Sequence, residues 1–209
     1  MKKDLKIAFV LYFFIAVIWT LYRMFTHFSE LTDEGIFKVI VWMVPTLLII
    51  FLRKQKPSEF GITGKNILQS IGIGLGAGLL LSLPKIIIFL KGPQALSCMR
   101  EHFIPSFVIA FFTAITEEIV FRGYLFTLMN QYLKNGYMTI FLNSILFTLI
   151  HLPILILSYR YSFGESIAYL SMVFMASLVY STVFLKTKNV AGSIATHIIW
   201  NVMDDLVRC

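Results

Sequence analysis

Seven apolar runs, most of them close to 20 residues long, take up about two thirds of the chain. They fall at about 7–25, 36–52, 67–90, 104–129, 138–157, 166–185 and 190–207. A hydrocarbon layer about 30 Å thick is crossed by roughly 20 apolar helical residues. Inside that layer each segment must satisfy its own backbone hydrogen bonds, which an isolated strand cannot do. The runs therefore predict an all-α, polytopic transmembrane helical bundle, with residues 1–209 as one membrane-embedded domain. Composition agrees: 58% of the 209 residues are hydrophobic and 14% charged, against about 45–50% and 25% in soluble domains. The second run is short and the seventh carries polar residues, so six to eight crossings fit. Lys2, Lys3 and Lys6 precede the first run as they would in a signal peptide. Its apolar stretch exceeds the ~7–15 residues of a signal core and no small-x-small site follows, so it reads as an uncleaved helix.

A net charge of +7 raises nucleic acid as a partner, but the basic residues sit at helix ends and in short loops. That pattern belongs to membrane topogenesis, and nucleic acid is set aside. Lys2, Lys3 and Lys6 lie before the first run; Arg53, Lys54, Lys56 and Lys65 follow the second; Lys134 and then Lys186 and Lys188 mark the fourth and sixth connections. The alternate connections are poorer in basic residues: Glu30, Asp33 and Glu34 in the first, Lys91, Arg100 and Glu101 in the third, Arg160 and Glu165 in the fifth. The N-terminus is thus expected in the cytoplasm and, with seven spans, the C-terminus outside. Cys98 and Cys209 are far apart with no metal-ligand spacing and read as incidental thiols. Gly72, Gly74, Gly76 and Gly78 in the third run lack the strand a phosphate loop needs. They read instead as two overlapping small-xxx-small pairs for close helix packing.

Ionisable groups inside the runs carry the functional information, because each costs at least ~2.5–3.5 kcal/mol to insert at a helix centre and marks a functional site by default. The fourth run contains Glu117, Glu118 and Arg122. Two adjacent carboxylates without solvent repel, so one must hold a proton or find a cation. Arg122 lies one turn beyond Glu118 on the same face, while Glu117 is rotated about 100° away and is free to face another space. The fifth run places Asn143, Phe147 and His151 at i, i+4 and i+8, one stripe, with Pro153 set to break or kink the helix just beyond. In the seventh run His197 and Asn201 are one turn apart, with Asp204 further along as a partner or the emerging interface. Each group alone is compatible with interhelical glue. Together Glu117, His151, His197 and Asn201 supply a carboxylate, two imidazoles and an amide, the parts needed to activate water and stabilise an oxyanion.

The ordered segments Glu117-Glu118…Arg122, Phe147…His151 and His197…Asn201 resemble the EExxxR, FxxxH and HxxxN/D motifs of the CPBP family, the CAAX-protease and bacteriocin-processing (Abi) intramembrane peptidases. The resemblance covers about residues 104–205, and the stretch Pro57–Ile62 is similar to a loop common in that family. It implies an intramembrane endopeptidase with its site in a polar cavity within the bilayer. Glu117 would be the general base, aided by His151. His197 and Asn201 would stabilise the oxyanion, Glu118 with Arg122 would hold these groups in place, and Phe147 would pack the site. If a metal takes part, Glu117, His151 and His197 can ligate Zn²⁺ and leave a fourth position for water. The HExxH pair of zincins is absent, and of the two routes the metal-independent one is preferred.

The lysine-, isoleucine- and phenylalanine-rich composition looks like bacterial members, which implies the bacterial plasma membrane and a membrane-associated peptide or membrane-protein substrate. Bacteriocin processing and self-immunity are among the family's settings. Two other classes compete: a non-catalytic immunity or regulatory scaffold, and a small proton-coupled transporter, which would be expected to show an internal repeat. The sequence carries no signal for oligomeric state.

Overall fold

The computed structural model describes residues 2–26, 28–93 and 95–209; the side chains of Lys2 and Ser158 lie outside the description, and with Lys2 part of the charge reading above. All regular structure among the described residues is helical. Seven helices follow one another as α1 (Lys2–Phe25), α2 (Glu30–Leu52), α3 (Ile67–Lys91), α4 (Ala95–Leu133), α5 (Gly136–Leu157), α6 (Phe163–Thr187) and α7 (Val190–Arg208). The first six are long and apolar enough to cross a membrane. α7 packs against α3, α4 and α6 and brings the last pair of motif residues into the bundle. The outer surface carries large apolar side chains such as Phe13, Leu80, Leu90 and Ile156, whereas the interior holds Glu117, Glu118, Arg122, Asn143 and His197. That inversion is expected of a bundle solvated by lipid.

Small residues decide how closely α3 and α7 approach. A methyl group on Gly74 would run into the backbone of Gly192, and one on Gly78 would meet Ile199 at 3.0 Å. The Thr196 hydroxyl donates to the Gly74 carbonyl at 3.0 Å. Gly72 and Gly76 face open space, so only one of the two expected glycine pairs forms the interface. The start of α7 is fixed from outside the helix. Asn189 caps it through Ala191 N (2.9 Å) and donates to the Thr63 and Lys65 carbonyls. Val190 N donates to the Gly61 carbonyl at 3.0 Å. The Pro57–Phe60 turn thus braces α7, with Gly61 at a φ of 73° that favours glycine.

Three local departures from the sequence reading shape the site. α2 begins at Glu30, so Asp33 and Glu34 are buried helical residues and not loop charges; ion pairs with Arg23 and Lys38 make that burial tolerable. The α5 helix loosens into a turn at Ile150 and His151, where Ile150 N still donates to the Leu146 carbonyl but His151 N donates to Thr148, and it resumes at Leu152. Pro153 has no N–H to offer the Leu149 carbonyl, so the turn opens at the histidine itself instead of beyond it. π-helical turns span Asp33–Phe37 and Val39–Met43 on either side of Lys38, and Ile119–Phe126 directly after Glu118. Such turns recur at functional sites.

The cysteines are not incidental. Cys98 near the start of α4 and Cys209 after α7 form a disulfide, their Cα atoms 6.0 Å apart and 111 residues apart in sequence. Packing of α7 on α4 supplies the proximity that spacing alone did not show.

Candidate active site

Glu117 and Glu118 leave α4 in different directions, and each gathers its own partners. Glu118 Oε1 accepts from Arg122 at 3.0 Å, with both side chains fully buried. Arg122 also donates to the Ser177 hydroxyl at 2.6 Å and to its carbonyl at 3.3 Å, and lies 4.2 Å from the centroid of the Phe147 ring. A guanidinium over an aromatic face is itself favourable, so Phe147 packs the cluster as well as the cavity wall. The following π turn is braced by Asn143, whose amide donates to the Phe121 carbonyl at 3.1 Å. Asn143 therefore supports the backbone of the motif helix and does not line the cavity, although it shares a stripe with His151.

His197 bridges the two glutamates. Its Nδ1 stands 2.9 Å from Glu118 Oε1 and its Nε2 3.8 Å from Glu117 Oε2, with the ring stacked on Tyr180 at 4.5 Å. A carboxylate only accepts, so Nδ1 carries the proton and Nε2 keeps its lone pair in the neutral ring. His151 is set the same way: Nδ1 donates to the Phe147 carbonyl at 2.7 Å, which leaves its Nε2 as an acceptor. The lapse of the α5 helix at this residue frees the ring to face inward.

Glu117 is held by a residue that the sequence reading passed over. Lys38 Nζ donates to Glu117 Oε1 at 2.5 Å and to Glu34 Oε2 at 2.5 Å, and lies 4.9 Å from the centroid of Trp42. Thr113 donates to Glu34 at 3.0 Å, and Arg23 pairs with Asp33 at 2.6 Å and Glu34 at 3.3 Å. Two cations and three carboxylates thus form a continuous buried chain from α1 through α2 to α4. Among the described residues Glu117 Oε2 has no hydrogen-bond partner, and neither has Glu118 Oε2. A lone lysine inside the second apolar run was the signal for Lys38; assigning Glu34 to a loop removed its partner from view.

Glu117, His151, His197 and Asn201 all line one cavity of about 150 Å³, together with Lys38, Phe147 and Tyr180. Glu118 and Arg122 stand behind the wall. Asp204 is at the rim, bound by Lys85 at 2.5 Å and Arg208 at 2.6 Å. A carboxylate with one oxygen held by Lys38 and the other without a hydrogen bond, two imidazole acceptors and an amide therefore face a common space, the requirement for moving a proton to or from a small bound molecule. A metal fits this arrangement poorly. Among the described residues no three His, Cys, Asp or Glu side chains group as ligands, and a divalent cation on Glu117 would sit beside the Lys38 ammonium.

Residues 100–203 match the family model of type II CAAX prenyl endopeptidase Rce1-like proteins. The matched segment contains all three motifs and ends between Asn201 and Asp204. No curated protein and no solved structure matches the chain.

Proposed function

Since the chain belongs to the family of Rce1-like type II CAAX prenyl endopeptidases, we propose that it hydrolyses a membrane-associated peptide with water activated by Glu117. The convergence of Glu117, His151, His197 and Asn201 on one cavity, with Glu117 Oε2 free of hydrogen bonds among the described residues, carries this reading. Water bound between Glu117 Oε2 and His151 Nε2 donates to both. As its oxygen bonds to the scissile carbonyl carbon, one proton passes to Glu117 and the carbonyl oxygen becomes an oxyanion. The Asn201 amide donates to that oxygen. Glu118 holds the His197 ring through Nδ1 and so fixes its Nε2 toward the cavity, as a buried carboxylate orients a histidine in a catalytic triad. Collapse breaks the C–N bond, the proton on Glu117 moves to the leaving nitrogen, and a carboxylic acid and an amine result. Lys38 fixes the other Glu117 oxygen throughout, so the carboxylate need not reorient during the reaction. No step requires a metal.

Purified wild type and Glu117→Gln, assayed in detergent on a peptide library with and without a chelator, test the reading. Wild type is expected to cleave, and the variant to lose about 10²–10⁴ of the rate, the usual contribution of a general base. Equal behaviour of the two proteins would make the chain a scaffold. Loss of cleavage with chelator, restored by Zn²⁺, would replace the metal-independent mechanism.

A further inference from the structure

The residues lining the cavity run from the middle of the bundle out to one of its ends, and that end has a chemical identity. Its deep wall is Glu117, Phe147, Tyr180 and His197; its rim is Glu30 at the start of α2, Tyr159 just beyond α5, and Asp205 and Arg208 at the end of α7. The rim therefore shares a face with the α1–α2, α3–α4 and α5–α6 connections. The basic connections lie at the opposite, closed end: Arg53, Lys54, Lys56 and Lys65 between α2 and α3, and Lys186 and Lys188 between α6 and α7. Lys and Arg accumulate in short loops on the cytoplasmic side. The Cys98–Cys209 disulfide lies at the open end, and disulfides persist in oxidising compartments, not in the cytosol. Charge and redox chemistry are independent observations, and they select the same side.

We propose that the cavity opens to the non-cytoplasmic face, and that its substrate is a peptide segment presented on that side, from an exported or membrane-anchored polypeptide. A reaction that translocates the substrate must precede cleavage. The substrate class rests on the peptidase reading; the orientation does not. Tyr159, Tyr169, Met172 and Trp200 line the outer part of the cavity, a surface suited to an extended, partly apolar segment lying at the interface.

Two glycines make matched reporters. Gly164 at the open end and Gly64 at the closed end are both exposed, with nothing within 4 Å of an added Cβ. Gly164→Cys and Gly64→Cys are each placed in a Cys98→Ser, Cys209→Ser background, and intact cells are treated with a membrane-impermeant maleimide. Gly164→Cys is expected to label in intact cells and Gly64→Cys only after permeabilisation; the reverse pattern, or shielding of both in intact cells, overturns the orientation. The same pair made in the wild-type background repeats the test if the serine variants do not fold. Wild type itself should label only after reduction, and labelling without reductant would remove the redox argument and count against the proposal. Any peptide cleaved by the purified protein should then be cleaved by right-side-out vesicles and not by sealed inverted ones, the opposite result overturning the substrate side. If the purified protein cleaves nothing, the peptidase reading fails alone and the labelling still decides the orientation.

Discussion

Glu117 and Glu118 are neighbours in sequence, yet they anchor two regions built on opposite terms. Around Glu118 the groups lie behind the cavity wall: Arg122 and His197 Nδ1 donate to Glu118 Oε1, and Ser177 holds Arg122. Around Glu117 the same kinds of groups border a cavity. Access, not residue type, separates them. A buried ion pair with both partners present fixes geometry, whereas a carboxylate that borders a cavity large enough for water can exchange a proton. His197 joins the two regions, so the rigidity of one is passed to the chemistry of the other.

The sharpest way to break this contrast is Glu117→Gln. Cleavage should fall by about 10²–10⁴ while the thermal unfolding midpoint in detergent stays near wild type, because Lys38 keeps Glu34 as a partner. An equally large loss of stability would mean that Glu117 is structural after all. Arg122→Ala should act on stability instead: it takes the cation from the buried Glu118 carboxylate, a cost of about 3–5 kcal/mol, measured by reversible denaturation in mixed micelles. If the variant is as stable as wild type, the Glu118 region is not what fixes His197.

Lys38→Met probes the open region more gently. It leaves the Glu117 carboxylate in place but releases the oxygen that Lys38 holds, and kcat should drop about 10²-fold or less with KM little changed. A change confined to KM would place Lys38 in substrate binding instead. Smaller still is the glycine pair on α3. Gly74→Ala pushes a methyl group into the Gly192 backbone and should destabilise by about 1–3 kcal/mol. Gly72→Ala meets nothing and should be neutral or stabilising by up to about 1 kcal/mol. Equal effects in equilibrium unfolding would show that close α3–α7 approach does not set the position of His197.

Much of this site was legible because the membrane makes errors expensive. Glu117, Glu118, Arg122, His151, His197 and Asn201 stand out in apolar runs where any polar group needs a reason, and the i, i+4 spacing correctly paired Glu118 with Arg122. Lys38 was missed because Glu34, its neighbour one turn away, looks like punctuation between two runs until the helix is seen to start at Glu30. Asn143 was legible as polar but not as a brace for the Phe121 carbonyl, since nothing in the sequence marks the π turn that exposes it. The disulfide was illegible because its two cysteines meet only through the packing of α7 on α4.

By itself the sequence determined the helices and most of the polar residues that had to be buried. The cause is local: hydrocarbon thickness fixes segment length, and each helix closes its own hydrogen bonds. Only the tertiary structure decided which glutamate faces the cavity, which cation holds it, which end of the bundle is open and which cysteines pair. Those outcomes depend on the rotational setting of one helix against another. That setting is fixed by the π turns, by the Gly74–Gly192 contact and by ion pairs between residues far apart in the chain, none of which has a local signature.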